Sequence, residues 1–430
     1  MSGLPNLLDL WLNGNKIRKG GCVALGELLK NPECNIISLD LSSNLIDDEC
    51  VGILVDGFVE RETLKSLSIG DQKRLTAAGW KILSNWLSGS KCKLEKIILH
   101  RTNVADDSAT FLGYSLAKNE ALECLDFCGN EVSSTGWRGI SNCLAPTSTI
   151  SELNLDESNI NDEDAFVLFS ALAINATLKT LVLFSRHITS AGWVLCFRQL
   201  IGSRSALVNI EFGWHIEDEG VAALSNVVTG HINTISSLSL YGNSRVSANG
   251  WSAFASILAP SSTSQLKTLR VGNSQDEITG SYPITNDVII ALVTALASNS
   301  TLEFLEVNDV GDDVELALEA LVTVLCDATS LDSVCRSNHT LHEFFCFCSE
   351  DTVYPSDFHS LLEMNDDEDK AQVVRTKLLT YFFSDVGNIG PVFGRMATTI
   401  LPNAIEWIGR DLLGYSAMFE FCRSMPVLFK

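Results

Sequence analysis

The sequence lacks most of the short motifs that mark chemistry. It contains no GxGxxG, no GxxxxGK followed by Ser or Thr, no GxSxG and no HExxH. The common nucleotide, hydrolase and zinc-protease signatures are therefore absent. Its 13 cysteines form no CxxC pair. An odd, scattered set of this kind points to reduced thiols in a cytoplasmic or nuclear protein, many of them small core hydrophobes. No apolar run approaches the ~20 residues that cross a bilayer. The opening residues, MSGLPNLLDLWLNGNK, have neither the basic nor the long apolar region of a signal peptide. Positive charge is scarce: 30 Lys and Arg stand against 53 Asp and Glu, a formal net charge of -23. Such a surface repels phosphate backbones and anionic lipid heads, which argues against nucleic acid and membrane as direct partners. It attracts basic proteins instead. Imidazole and thiol ligands cluster once, at His339, His342, Cys346 and Cys348. Phe344 and Cys346 fall at buried strand positions, so no metal site and no cofactor are expected there. Cys124 and Cys128 straddle the end of a strand and make a poor chelate.

What the chain does have is periodicity. Residues Leu122–Leu144 read LECLDFCGNEVSSTGWRGISNCL, with Leu122, Leu125 and Phe127 apolar, Asn130 at a corner, and Ile140 and Leu144 four apart. The same template begins at Leu7, Ile36, Leu64, Leu94, Leu122, Ile150, Leu178, Leu207, Ile235, Leu266, Leu302 and Leu341. The first eight steps are 29, 28, 30, 28, 28, 28, 29 and 28 residues, long enough for a strand and a full helix in each unit. The array is a leucine-rich repeat. One unit cannot bury its own apolar face, but stacked units can. The expected fold is α/β: a curved solenoid, or horseshoe, of about 11–12 repeats over residues 1–350. It has a concave parallel β-sheet and convex helices, and residues 351–430 form a helical C-terminal cap. Helical patterns within the cap fall at Ala371–Phe383, Asn403–Leu413 and Ser416–Cys422. Repeat one starts within ten residues of Met1, which leaves its Leu7, Leu10 and Leu12 layer to be covered by self-association or a fusion.

Asn15, Asn44, Asn130 and Asn243 occupy the corner after the strand, where an amide bonds the adjacent turns. Gln72, Thr102, Ser158, Arg186 and Ser274 replace it elsewhere, and LVNIEFGWHI is one residue short before Ile216. The corners from Leu178 to Gly213 are accordingly less regular. After Leu266 the steps lengthen, through an insertion near Asn273–Thr285 that reads as a projecting loop. The sequons at Asn175 and Asn299 sit at one repeat offset, NxTL, and read as repeat features, not glycosylation sites.

A longer period overlies the first. Trp80, Trp137, Trp193 and Trp251 are 57, 56 and 58 residues apart. Repeats between them carry acidic turns: Asp47-Asp48-Glu49, Asp106-Asp107, Asp162-Glu163-Asp164 and Glu217-Asp218-Glu219. These carboxylates are expected to cap their own helices, and the tryptophans to pack between helices. This alternation, with the repeat length, resembles the ribonuclease-inhibitor type of leucine-rich repeat over roughly residues 4–350. SNHTL at Ser337–Leu341 and LPNAIEWIGRD at Leu401–Asp411 resemble the tails of RNI-like repeat proteins of unicellular photosynthetic eukaryotes. The resemblance implies a fold that hosts many partners, and no particular activity.

The concave face is where function is expected. Its outward strand positions include Trp11, Asp40, Asp126, Glu211, Arg270 and Glu306, and the next row includes Asp156, Phe184 and Tyr241. Aromatic side chains supply anchors and carboxylates select basic groups. The expected function is a non-catalytic scaffold that binds a basic protein. An alternative is a GTPase regulator of the Ran GTPase-activating type, although no motif of that family maps onto residues of this chain.

Overall fold

The computed structural model describes residues 7–382 except 60, 103, 145–147, 231–233, 260–261, 273–283, 298, 309–313 and 347–353. The insertion near Asn273–Thr285 and the helical patterns at Asn403–Leu413 and Ser416–Cys422 therefore fall largely or wholly outside the described residues.

Each repeat begins a strand two residues after its first apolar position. The strands are β1 Asp9–Trp11, β2 Ser38–Asp40, β3 Ser66–Ser68, β4 Lys96–Ile98, β5 Cys124–Asp126 and β6 Glu152–Asn154. They continue as β7 Thr180–Phe184, β8 Asn209–Gly213, β9 Ser237–Tyr241, β10 Thr268–Gly272, β11 Phe304–Asn308 and β12 Glu343–Cys346. They form one sheet in chain order, β1 to β12, with helices between them. The register is uniform: Leu39 pairs with Leu67, Leu67 with Ile97, Ile97 with Leu125 and Leu125 with Leu153, all parallel. Parallel strands need a crossover, and here every crossover holds a helix. The chain is thus an α/β leucine-rich repeat solenoid.

Packing divides the chain into two compact units. The first comprises Met1–Ile257, Ser262–Ile284 and Val307–Asp309. Its core repeats by layer: Leu122, Leu125, Phe127, Ile140 and Leu144 are buried, as are their counterparts in neighbouring repeats. Each such side chain contributes about 1.5–3 kcal/mol when fully buried. The corner amides close the turns as expected. Asn130 donates to Leu99 O at 2.7 Å and Phe127 O at 3.0 Å, and accepts from Thr102 N at 2.8 Å. Gln72 keeps the same role with its longer arm, donating to Leu41 O at 2.8 Å and accepting from Ile46 N at 3.2 Å. A second amide set stands at the strand entry. Asn175 donates to Leu144 O at 3.1 Å and accepts from Leu178 N at 2.7 Å, so this sequon asparagine is buried.

The acidic turns do something the sequence reading did not anticipate. Only Asp47 caps its own helix, accepting from Cys50 N. The next aspartates reach forward instead. Asp162 accepts both the N–H and the O–H of Thr189, each at 2.7 Å, and Thr189 is the N-cap of the following helix, Ser190–Leu200. Asp48 does this to Thr76, Asp106 to Ser133 and Asp218 to Ser247. The glycine before each tryptophan makes room. A Cβ at Gly79, Gly192 or Gly250 would land on the Oδ1 of Asp48, Asp162 or Asp218, and one at Gly136 would lie 2.9 Å from Oδ1 of Asp106. The two-repeat period is therefore a stapled pair: an aspartate in one repeat, and a Ser/Thr-x-x-Gly-Trp in the next. The tryptophans are buried as expected, but not only between helices. Trp137 sets its ring edge-on to Phe127 at 5.9 Å, and Trp193 stands over Phe212 of β8 at 5.3 Å.

The second unit comprises Leu258–Ser261, Thr285–Glu306 and Val310–Lys430. Helices Asn286–Ala295 and Glu315–Leu325 carry its last repeats. Helices Phe358–Asn365 and Lys370–Lys377 follow, the latter running into a π-helical turn, Leu378–Phe382. Asn365 donates to Leu341 O at 2.7 Å. Lys377 is wholly buried and donates to Leu325 O at 2.6 Å and Asn338 O at 2.8 Å, with His339 Nδ1 at 3.3 Å. Burial lowers the Lys377 pKa to about 7. Burial also lowers His339, to about 4, with the neighbouring Lys377 charge adding to it.

Candidate open sheet face

The strand register sets the first outward row of the first unit. Pairs run Trp11–Asp40, Asp40–Ser68, Ser68–Ile98, Ile98–Asp126, Asp126–Asn154 and Asn154–Val182. They continue Val182–Glu211, Glu211–Ser239 and Ser239–Arg270. The row predicted from sequence is thus contiguous from Trp11 to Arg270. Adjacent strands lie ~4.8 Å apart, so Asp40, Asp126 and Glu211 recur every ~14 Å. That exceeds a Debye length of ~8 Å in physiological salt, and the carboxylates act as separate teeth, not as one cluster. Trp11 is 74% exposed and Tyr241 38%. Glu306 faces outward on β11, half-buried, in a strand assigned at that point to the second unit.

One region gathers charge. Asp126 and Asp156 stand in successive repeats. Each has one oxygen committed to a local N–H: Asp126 Oδ1 accepts from Cys128 N at 3.0 Å, and Asp156 Oδ1 from Glu157 N at 2.7 Å. Burial raises the pKa of Asp156; the Glu157 N–H opposes this, and the charges of Glu157 and Asp126 add to the rise. The thiol of Cys128 between them is pushed up to about 12, first by burial and then by Asp156 and Asp126. It is a poor nucleophile there. A carboxylate held in such a place opposes folding when ionised, and a cation brought to it removes the penalty.

Phe184 lies across Gly213, where a Cβ would meet its ring, and meets Trp214 edge-on at 5.8 Å. The sequence reading missed Trp214 and the corner around it. In repeat seven the buried ladder position shifts by one residue. Ser185 takes it, donating to Ile160 O at 2.7 Å, and Arg186 and His187 move to the surface. In the short repeat eight, Trp214 and His215 both adopt left-handed backbone, φ 67 and 61. Asp71, Arg101 and Glu157 hold the same conformation at the preceding corners, as does Gly129, so their side chains project in a line. Asp71, Arg101, Gly129, Glu157 and Trp214 line a cleft of about 610 Å³ with Lys73, Glu131, Arg186 and His187. Arg101 crosses Gly129, which has no side chain to obstruct it, to pair with Glu157. The Arg186 guanidinium lies 4.8 Å from the Trp214 ring centre. The irregular ladder from Leu178 to Gly213 was the one signal in the sequence.

Among the described residues no helix is long and apolar enough to cross a membrane. No family model matches the chain. The ribonuclease inhibitor of Sus scrofa is 26% identical over 242 residues, 56% of this chain and 52% of that protein. The NACHT, LRR and PYD domains-containing protein 9C of Mus musculus is 33% identical over 122 residues, 28% of this chain and 12% of that protein. Among solved structures, the leucine-rich repeat-containing protein LegL7 from Legionella pneumophila aligns with a TM-score of 0.43 and 15% identity, over 73% of this chain and 97% of that one. The chain spans about half the length of the ribonuclease inhibitor it matches.

Proposed function

We propose, from the premise that this is a ribonuclease-inhibitor-type leucine-rich repeat protein, that it acts as a non-catalytic scaffold whose open sheet face binds another protein. Asp40, Asp126, Asp156, Glu211 and Glu306 select basic groups on that partner. Trp11, Phe184 and Tyr241 supply anchoring rings, and Arg270 marks the edge of the acidic row. The observation that supports this reading is the row itself: the register lines up Trp11, Asp40, Asp126 and Glu211 on one side of the sheet, with the half-buried carboxylate of Asp156 in the repeat after Asp126. The location that suits this reading is the cytoplasm or nucleus, where buried thiols such as Cys143 and Cys196 stay reduced.

The test is affinity capture from cell extract with mass spectrometry. The intact chain is compared with a variant carrying Asp126→Lys, Asp156→Lys and Glu211→Lys, at low and high salt. The expected result is a basic protein that is retained by the wild type, lost by the variant, and eluted by salt. Capture unaffected by reversal of all three charges sinks the proposal. Small GTPases incubated with the chain are expected to hydrolyse GTP at their intrinsic rates.

A further inference from the structure

The helix Lys370–Lys377 is held to the last repeats by few buried side chains. Val373 and Lys377 are its buried residues, and Leu378 follows, also buried, at the start of the π-helical turn. The rest of the helix is half-buried or exposed. A short helix with so few buried contacts opens ahead of the stacked repeats. One of these anchors is an amine. Lys377 sits wholly out of water and reaches only uncharged acceptors: Leu325 O, Asn338 O and His339 Nδ1. The groups around it supply no counterion. Its own helix carries Lys370 and Arg375 and no carboxylate. The helix Leu331–Arg336 carries the exposed Cys335 and an exposed ion pair, Asp332 with Arg336. The helix Phe358–Asn365 carries His359 and Glu363, both exposed, and the π-helical turn carries Tyr381. In order of weight, burial disfavours the ammonium form of Lys377, the Cys326 thiolate would favour it, and Lys370 disfavours it. A buried ammonium without a carboxylate is strongly penalised.

We propose that this helix is a proton-operated latch on the last repeats, shut while the Lys377 amine is neutral and released as it takes up a proton. Release needs only that the helix leave Leu325 O and Asn338 O, while the repeats before it keep their own buried layers. The latch is independent of which protein the sheet face takes.

The direction and size of the response follow from linkage. The shut amine has a pKa of about 7 and a freed lysine one of ~10.4, so between these values the open form holds the extra proton. Opening therefore becomes rarer as the pH rises. From pH 7 to pH 8 the ratio of open to shut molecules should drop about fivefold. Above pH 8 the Cys326 thiol, held up by burial when the latch is shut, ionises once freed and works the other way, which sets the window.

The test is hydrogen exchange of the full chain, read by mass spectrometry at pH 7 and pH 8 and corrected for the intrinsic exchange rate at each pH. Amides of residues 370–378 should be about fivefold better protected at pH 8. Those of the helix Asp106–Lys118, in the first unit, should change by less than about twofold. Lys377→Met keeps an apolar stem without the titrating group, and in that variant the change over residues 370–378 should shrink below about twofold. The proposal is overturned if wild-type protection of residues 370–378 is equal at the two pH values, if Lys377→Met keeps the fivefold change, or if Asp106–Lys118 shifts in step with residues 370–378. Should Lys377→Met fail to fold, the comparison of the two segments in the wild type still decides.

Discussion

Replacing Gly192 by alanine should destabilise the protein, and removing Asp162 should reverse the sign of that effect. Gly192 sits inside the helix Ser190–Leu200 without a left-handed φ, so its backbone has no need of glycine. Alanine is favoured over glycine in a helix interior by about 1 kcal/mol. The obstacle is the staple: the three nearest atoms to a Cβ at this position all belong to Asp162. Forcing them apart breaks two hydrogen bonds, to the N–H and O–H of Thr189. Charge-assisted bonds contribute ~1.5–3 kcal/mol each when protected, but these are exposed, so about 1–2 kcal/mol for the pair is the better figure. Gly192→Ala alone should therefore cost about 1–3 kcal/mol, overpacking included. Asp162→Ala alone should cost about 1–2 kcal/mol. Within Asp162→Ala, adding Gly192→Ala should be neutral or stabilising by up to about 1 kcal/mol. The assay is urea unfolding of the four proteins followed by circular dichroism, read as a double-mutant cycle. A coupling of about 2 kcal/mol is expected. Additivity within ~0.5 kcal/mol would show that Asp162 is not what excludes a side chain at position 192.

Two other perturbations have worked signs. Asp156 has a raised folded pKa, so the folded chain holds its proton better than the unfolded chain, and the penalty is fully present at pH 7. Asp156→Asn should then raise the urea midpoint at pH 7, lose that advantage as the pH falls toward ~4, where folded and unfolded chains are both protonated, and weaken capture of a basic partner. A lower midpoint at pH 7 would refute the assignment. In the second unit, Lys377 fastens the helix Lys370–Lys377 to the last repeats through Leu325 O and Asn338 O. Its folded pKa of about 7 lies below the unfolded value of ~10.4, so stability should climb between pH 7 and 10 as the unfolded chain keeps a proton that the folded chain gives up. Lys377→Met should flatten that climb and, at pH 10, cost about 1–3 kcal/mol, because there the neutral amine is a buried donor to Leu325 O that carries no charge penalty. An unchanged pH profile in the variant would place the titration elsewhere.

The repeat frame was fully legible because it rests on apolar spacing. Every strand begins two residues after a predicted start, and Asn44, Asn130 and Asn243 make the corner bonds their position implies. Glutamine 72 shows why the frame tolerates substitution: a longer amide reaches the same carbonyl. The staple was less legible. The acidic turns and the Gly-Trp pairs were both visible, but a helix-start aspartate usually bonds its own backbone. That Asp48, Asp106, Asp162 and Asp218 bond the next helix depends on side-chain direction, which spacing alone does not carry. The corner cleft was hardest. It arises where Ser185 displaces Arg186 from the ladder and a tryptophan takes a left-handed backbone, and nothing in the local pattern of repeat eight requires that conformation. The pairing order from Trp11 to Arg270 follows from alternation, although Ser68 and Ser239 in that row are buried, whereas the raised pKa of Asp156 needed the burial that only three dimensions give.

The central claim is that a protein partner lies on the sheet face, and the exposed aromatic residues offer a direct test. Trp11 and Tyr241 are exposed on the strands, while Phe111, Tyr114 and Phe166 are exposed on helices, at 53%, 55% and 39%. Hydroxyl-radical footprinting of the chain, alone and with the captured partner, reads all five in one experiment. Oxidation of Trp11 and Tyr241 is expected to fall on binding, while Phe111, Tyr114 and Phe166 stay as reactive as before. Protection confined to the three helix residues would contradict it.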